Sequence, residues 1–414
     1  MDVTVSTTTS SADASRGGGL PAGVYLLGFS LFAMGSAEFL LAGVLPAVAV
    51  DLDVTLAAAG MLITAFALGV VVGGPIFAVL SLRWPRRTTL VLTQVVFAAG
   101  VAVGLLGGYP LLLVTRVVCG LAYAGFFAVA SVTAISLVTP DRNARASGVV
   151  VSGLSVAMVA GGPAGTLLSH FTQWRGGFWA IVVLTLIGAI GCVVGLPAGA
   201  PTEDPGTSLS RELATMRKPA LWVVFAITIL TTASYMISFN YLAAMLDDIT
   251  AIPEVWIPAI LALFGLGAFV GLSIGGRISD RRPHLALNIG AVGIIALSVV
   301  LVVAIEQIWV VAPAVLLIGV AAFVLNPALY GRVFAIAADA PTVAGAANVS
   351  SFQLGISLTP VLAAAAFTGG AALTSVYWIG IVLAVLAVPL VLLDRARSAR
   401  TTRPVASSDE PAVS

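Results

Sequence analysis

Leu80-Ser81-Leu82-Arg83-Trp84-Pro85-Arg86-Arg87-Thr88-Thr89-Leu90 is a short basic loop between two long apolar runs, 57–81 and 88–107. Near 198 residues later the chain reads Gly276-Arg277-Ile278-Ser279-Asp280-Arg281, again a basic turn between apolar runs, with Arg83 to Arg87 corresponding to Arg281 to His284. The same offset carries Asp141 onto Asp339 and Ala146-Ser147-Gly148 onto Ala344-Gly345-Ala346. A chain that repeats at half its length, each half a set of apolar runs of ~20 residues, reads as two copies of a helical membrane bundle.

Composition leads to the same place. Of 414 residues 59% are hydrophobic and 9% charged, against about a quarter charged in a soluble domain. About 244 apolar residues are close to what twelve spans of ~20 residues consume. A soluble enzyme, a disordered chain and a nucleic-acid binder are excluded. A transmembrane β-barrel is excluded too, since its strands alternate in short segments. Cys119 and Cys192 both fall inside apolar runs and read as small buried hydrophobes. His170 and His284 are far apart, so no metal-ligand spacing is present and no cofactor is expected. The lone lysine, Lys218, follows no glycine, so no phosphate-binding loop for ATP exists.

Apolar runs lie at 22–47, 57–81, 88–107, 110–137, 146–168 and 177–197, then at 220–245, 255–276, 285–304, 308–331, 343–367 and 374–393. The organisation expected is a disordered tail at 1–21, a six-helix bundle at 22–197, a linker at 198–219, a second bundle at 220–393 and a tail at 394–414. Residues 1–20 are rich in Ser, Thr and Gly and do not read as a signal peptide. With the N-terminus placed in the cytoplasm, 17 of the 19 basic residues fall on the cytoplasmic side, including Arg16, Arg86, Arg87, Arg142, Arg332 and Arg403. Arg175 alone falls outside, and Arg116 lies within a span. Both termini are therefore expected in the cytoplasm.

These residues resemble a family. The loop after helix 2 is similar to the signature of the major facilitator superfamily, departing from it at Leu82, where an acid belongs, and at Pro85, where a glycine belongs. Arg116-Val117-Val118-Cys119-Gly120 resembles the intramembrane R-x-x-x-G motif of its drug:proton antiporters, and Gly162-Pro163-Ala164-Gly165-Thr166 resembles their G-P motif. Gly35-Ser36-Ala37-Glu38 through Pro46, with Phe239-Asn240-Tyr241-Leu242, is most similar to chloramphenicol-resistance efflux proteins. The resemblance covers about residues 22–393. It implies an all-α fold of twelve helices in two pseudo-symmetric bundles, in a bacterial cytoplasmic membrane. It implies proton-coupled export of small amphipathic drugs by a monomer, with a metabolite exporter or sugar-type symporter as the alternative.

The residues carry a physical reading beside it. Of the 18 acids only Glu38 lies well inside a predicted span, ~12 Å below the outer end of helix 1 at 1.5 Å per residue. Arg116 lies ~9 Å below the outer end of helix 4, a similar depth. An unpaired charge in hydrocarbon costs at least ~2.5–3.5 kcal/mol, so each should face a cavity or a partner. Glu38 with Arg116 is read either as the proton-coupling pair or as a structural ion pair. The expected substrate surface is Asn240, Tyr241, Asn326, Tyr123, Gln353 and Asn348, with Phe127 and Met34 as adaptable apolar contacts. Asp280 is expected to pair with Arg332 or to meet the N-terminus of helix 5. With Arg281, Arg83, Arg86, Arg87, Gly162 and Pro163 it forms the gating set, the bland alternative being an anchoring charge cluster.

Overall fold

The computed structural model describes residues 19–80, 84–197, 214–338 and 341–401. Arg83, Asp339 and most of the expected linker lie outside them. Four helices open the chain: α1 (Ala22–Asp51), α2 (Leu56–Leu80), α3 (Arg86–Leu106) and α4 (Tyr109–Ser136). Next comes an unbroken apolar stretch, Arg145–Gly195, of 51 residues. As one straight helix it would be about 77 Å long, more than twice a bilayer core. It turns back at Thr172 (φ −127°, ψ 16°) and Gln173 (φ 61°, ψ 165°), giving α5 (143–171) and α6 (174–195). The second half holds α7 (Pro219–Asn240, resuming at Leu242–Asp248), α8 (Ile257–Ser279), α9 (Pro283–Ala304), α10 (Ile308–Ile336), α11 (Pro341–Thr368) and α12 (Ser375–Thr401). Among the described residues these make twelve spans, with α1's start and α12's end on one face, the terminal face.

The two halves are built alike. A Cβ at Gly69 or Gly73 of α2 would collide with the α4 backbone at Val117 or Leu121. At the same offset, a Cβ at Gly267 or Gly271 of α8 would collide with the α10 backbone at Leu316 or Val320. Both seams use glycine so that helix backbones can touch where no hydrophobic force drives them together. The halves meet along α2 with α11, α5 with α8, and α1 with α7.

Two features depart from a regular helix. Ala157–Gly161 form a π turn just before Pro163, whose ring cannot accept the regular ladder. α12 also continues past its expected end at 393 to Thr401, so Asp394 belongs to a helix and not to a tail.

Candidate functional site

Glu38 owes its position to the glycines of the π turn. A Cβ at Gly161 would strike Ser36, and one at Gly162 would come 2.6 Å from the Cβ of Phe39; Gly165 likewise packs on Leu40. Ser36, Phe39 and Leu40 therefore form the face of α1 that lies against α5. At ~100° per residue Glu38 projects to the opposite side, toward the space between the halves. It is half-buried while Ala37, Phe39 and Leu40 around it are buried. Its carboxyl meets the Gln353 side chain of α11 and lies in the field of Arg116. Tyr123 of α4 and Tyr235 of α7 are its electrostatic neighbours, and Tyr330 of α10 neighbours both.

Arg116 is only 4% exposed and makes no ion pair with Glu38 among the described residues. Its guanidinium lies 5.1 Å from the Phe66 ring centre and 5.8 Å from that of Phe178. Nη2 reaches the Ala37 carbonyl at 3.5 Å, while Nε and Nη1 have no partner among the described residues. Of the two readings of this pair, the static ion pair is absent from this arrangement.

Aromatic rings wall the space. Tyr123 lies 5.6 Å from Phe66 and stacks on Phe127 at 6.5 Å and 21°. Across from them, Tyr235 packs with Phe323 at 5.7 Å, and Tyr330 stacks on Phe352 at 5.7 Å and 23°. Phe127, Asn326, Tyr330 and Phe352 are half-buried and continue the wall toward the terminal face. The Asn326 amide oxygen has no partner among the described residues. A ring slotted here would gain stacking, and an amide would fix its orientation.

The space is closed away from the terminal face. There Phe39 and Phe239 meet edge to face at 6.2 Å, and the Thr64 hydroxyl donates to the Ser357 carbonyl at 2.9 Å. His170 Nδ1 lies 3.2 Å from Glu254, and Gly60 packs against Tyr241 and Pro360. Each of these contacts joins one half to the other. At the terminal face Arg87 donates to the Val193 carbonyl, Arg142 to that of Gly19 and Lys218 to that of Ile336, each within its own half. Gly148, Gly276 and Gly331, at the terminal ends of α5, α8 and α10, have open space beside them.

Several expected binding residues are elsewhere. Asn240 donates to Thr359 at 2.8 Å, and Asn348 accepts from Thr228 at 3.1 Å, so both stitch α7 to α11 inside one half. Tyr241 is wholly buried where α7 breaks, and Met34 is wholly buried in α1. The expected Asp280–Arg332 pair is replaced by another. Arg332 gives Nε and Nη2 to Asp394 at 2.9 and 2.8 Å, and His284 Nε2 joins at 2.9 Å. Asp280 and Arg281 are exposed at the end of α8, and Arg86 is half-buried. Gly162 and Pro163 follow the π turn, and Gly162 packs against Phe39 of α1. Sequence reasoning missed Tyr235, Phe323, Tyr330 and Phe352; the one available signal was Tyr330 lying a helical turn from Asn326. It also missed a cluster on the far face, where Asp51 accepts from Trp174 Nε1 at 3.0 Å and pairs with Arg175.

Residues 27–360 match the family model of the Major Facilitator Superfamily. A chloramphenicol resistance protein of Streptomyces lividans is 39% identical over 348 residues, covering 83% of this chain and 89% of the relative. The inner membrane transport protein YdhP of Escherichia coli K12 is 31% identical over 380 residues, covering 91% and 96%. Among solved structures, the nucleoside transporter NupG superposes with a TM-score of 0.73 at 13% identity, covering 91% of this chain and 98% of that one. A bacterial homologue of the lysosomal transporter Spinster, inward-facing and unoccupied, superposes with a TM-score of 0.71 at 17% identity, covering 92% and 98%. At such identities the likeness is one of fold.

Proposed function

The chain belongs to the Major Facilitator Superfamily, close to chloramphenicol efflux proteins, and from that premise we propose that it exports small amphipathic aromatic drugs in exchange for protons. It is a multi-pass membrane transporter and not an enzyme. The leading substrate is an antibiotic of the chloramphenicol type. The terminal face is the cytoplasmic one, where the basic loops gather. The observation that carries the reading is Glu38: one carboxyl at membrane depth where the two halves meet, with Tyr123 of one half and Tyr235 of the other beside it.

A carboxyl in such a place can hold a proton when the cavity is empty and lose it when a drug enters, because the two compete for one space. Loaded and deprotonated, the transporter turns outward; protonated and empty, it turns back. Proton entry then drives drug exit. Expression in an efflux-deficient bacterium should raise resistance to chloramphenicol-type drugs above that of an empty-vector strain. In proteoliposomes Glu38→Gln should still bind drug yet lose accumulation driven by a pH gradient. No change in susceptibility to any aromatic drug would favour the metabolite-export alternative. Gradient-driven transport by Glu38→Gln would remove the coupling role.

A further inference from the structure

Of the contacts that join the halves on the far side, one contains a histidine. His170 Nδ1, at the end of α5, lies 3.2 Å from the carboxylate of Glu254, which begins the short turn Glu254–Trp256 before α8. The two side chains are 38% and 67% exposed, so water on that face reaches both. The other contacts there, Phe39 on Phe239, Thr64 to Ser357 and Gly60 against Tyr241 and Pro360, hold no group that ordinarily changes charge between pH 5 and 8. Both partners of the pair sit on fixed supports. The tip between α5 and α6 is tied to its own half: Ser169 Oγ donates to the Gly165 carbonyl at 2.8 Å, Thr172 Oγ1 to that of Leu168 at 2.7 Å and Arg175 Nε to that of Leu105 at 3.3 Å. Across the gap, Thr250 Oγ1 donates to the Ile305 carbonyl at 2.7 Å, which pins the α7–α8 connection to the end of α9. A pair carried on two such supports breaks when the halves part here. The other charges of this face leave His170 to Glu254. Asp51 and Arg175 pair with each other, and Asp53 and Glu306 stand exposed in the α1–α2 and α9–α10 connections. Asp247 and Asp248 end α7, with Asp247 in the field of Asp248 and Glu254. α8 carries no titratable residue before Arg277 at its opposite end, and α6 after Arg175 carries only Cys192. The second half thus presents negative charge to His170.

We propose that His170 is a proton sensor of the far face: charged, it pairs with Glu254 and holds the two halves together there; neutral, it lets them part. Histidine is the side chain whose charge ordinarily changes between pH 5 and 8. The closed arrangement gives the imidazole a carboxylate at contact distance, and the open one takes it away, so the proton is held more tightly when the far side is closed. By linkage, acid then favours closure and alkali favours opening. The pair is exposed and screened, so it shifts the balance by about two- to fivefold and does not lock it. The role in transport rests on the reading of the chain as an antiporter whose far face is the external one. On that face acid closes the emptied transporter and speeds its return toward the cytoplasm, the half-cycle in which the driving proton is carried.

The test places spin labels at Gly108→Cys and Gln307→Cys, exposed on the far face in the α3–α4 and α9–α10 connections, one in each half. The full chain is measured in lipid nanodiscs in a Glu38→Gln background, so that the central carboxyl contributes no pH response of its own. Lowering the pH from 8 to 5.5 should raise the ratio of closed to open far-side populations about threefold. His170→Gln should abolish that rise, and so should Glu254→Gln. A rise that survives His170→Gln, or no rise in the background protein, overturns the proposal; if His170→Gln fails to fold, Glu254→Gln decides on the same terms. Gradient-driven drug efflux by the protein with Glu38 intact, measured in proteoliposomes, separates the two readings. If efflux is absent while the pH response follows His170, the antiport reading falls and the sensor stands; if efflux is present while the response ignores His170, the sensor falls and antiport stands.

Discussion

Asp394→Asn is the substitution whose cost the structure specifies best. Asp394 is 1% exposed and accepts three hydrogen bonds, two from Arg332 and one from His284, which join α9, α10 and α12. Removing one partner of a buried charge pair costs about 3–5 kcal/mol, mostly because the remaining charge is stranded. Here the stranded cation has some relief, since the Arg332 and His284 side chains are 16% and 19% exposed. The loss should therefore sit near the low end, about 3 kcal/mol. Asparagine keeps the volume and one acceptor, so packing loss does not confound the number. The assay is reversible unfolding in mixed micelles, with Arg332→Met and the double variant completing a cycle. The double variant should lose less than the two single losses added together, because the second change removes the stranded charge. A single Asp394→Asn loss under about 0.5 kcal/mol, or strictly additive losses, would refute the claim that this triad clamps the second half.

Asp280→Asn, at an exposed site with no ion pair among the described residues, should leave stability within about 0.5 kcal/mol in the same assay. Tyr241→Phe removes a buried hydroxyl that has no partner among the described residues, so it should be neutral or stabilising by up to about 1 kcal/mol; a loss above that would reveal a bond to Tyr241. Gly60→Val puts carbon where the Tyr241 hydroxyl and Pro360 stand, and should widen the distance between spin labels at Thr55→Cys and Ala371→Cys, exposed on the far face at the start of α2 and beyond the end of α11; an unchanged distance would show that this seam does not hold the far side shut. Trp174→Phe deletes one donor to Asp51 and should cost about 1 kcal/mol, leaving the half-exposed Arg175 pair in place.

Much of the fold was legible because a membrane span is a long pattern. A run of ~20 apolar residues ended by arginine or proline survives errors of a few residues at each end. The turn at Thr172–Gln173 falls inside the expected gap at 169–176, although neither residue is a strong punctuator and the nearest glycines, Gly176 and Gly177, come after it. The break at Tyr241 had no signal. Within the site, Glu38 was legible because a lone acid in hydrocarbon needs a reason. The rings of Tyr235, Phe323, Tyr330 and Phe352 were not, because an aromatic side chain in a span looks the same whether it faces a cavity, a neighbour or lipid. Asn240 and Asn348 are bonded inside the second half for a related reason. A buried amide must find a partner, and Thr359 and Thr228 supply it from the neighbouring helix of the same half. Asp394 read as part of a charged tail because Arg395 and Arg397 follow it, and sequence does not reveal that α12 carries its carboxylate back under α10.

Cys119 and Cys192 are the chain's two thiols; both are free, fully buried and in the first half. A water-soluble maleimide or nitroxide reagent therefore finds nothing to modify on the folded wild-type surface, and the second half carries no sulfhydryl at all. Any label attached after introducing a cysteine reports from that position alone. The distance and accessibility measurements above can then be made without first stripping native cysteines, a step that would risk the packing of Cys119 beside Arg116.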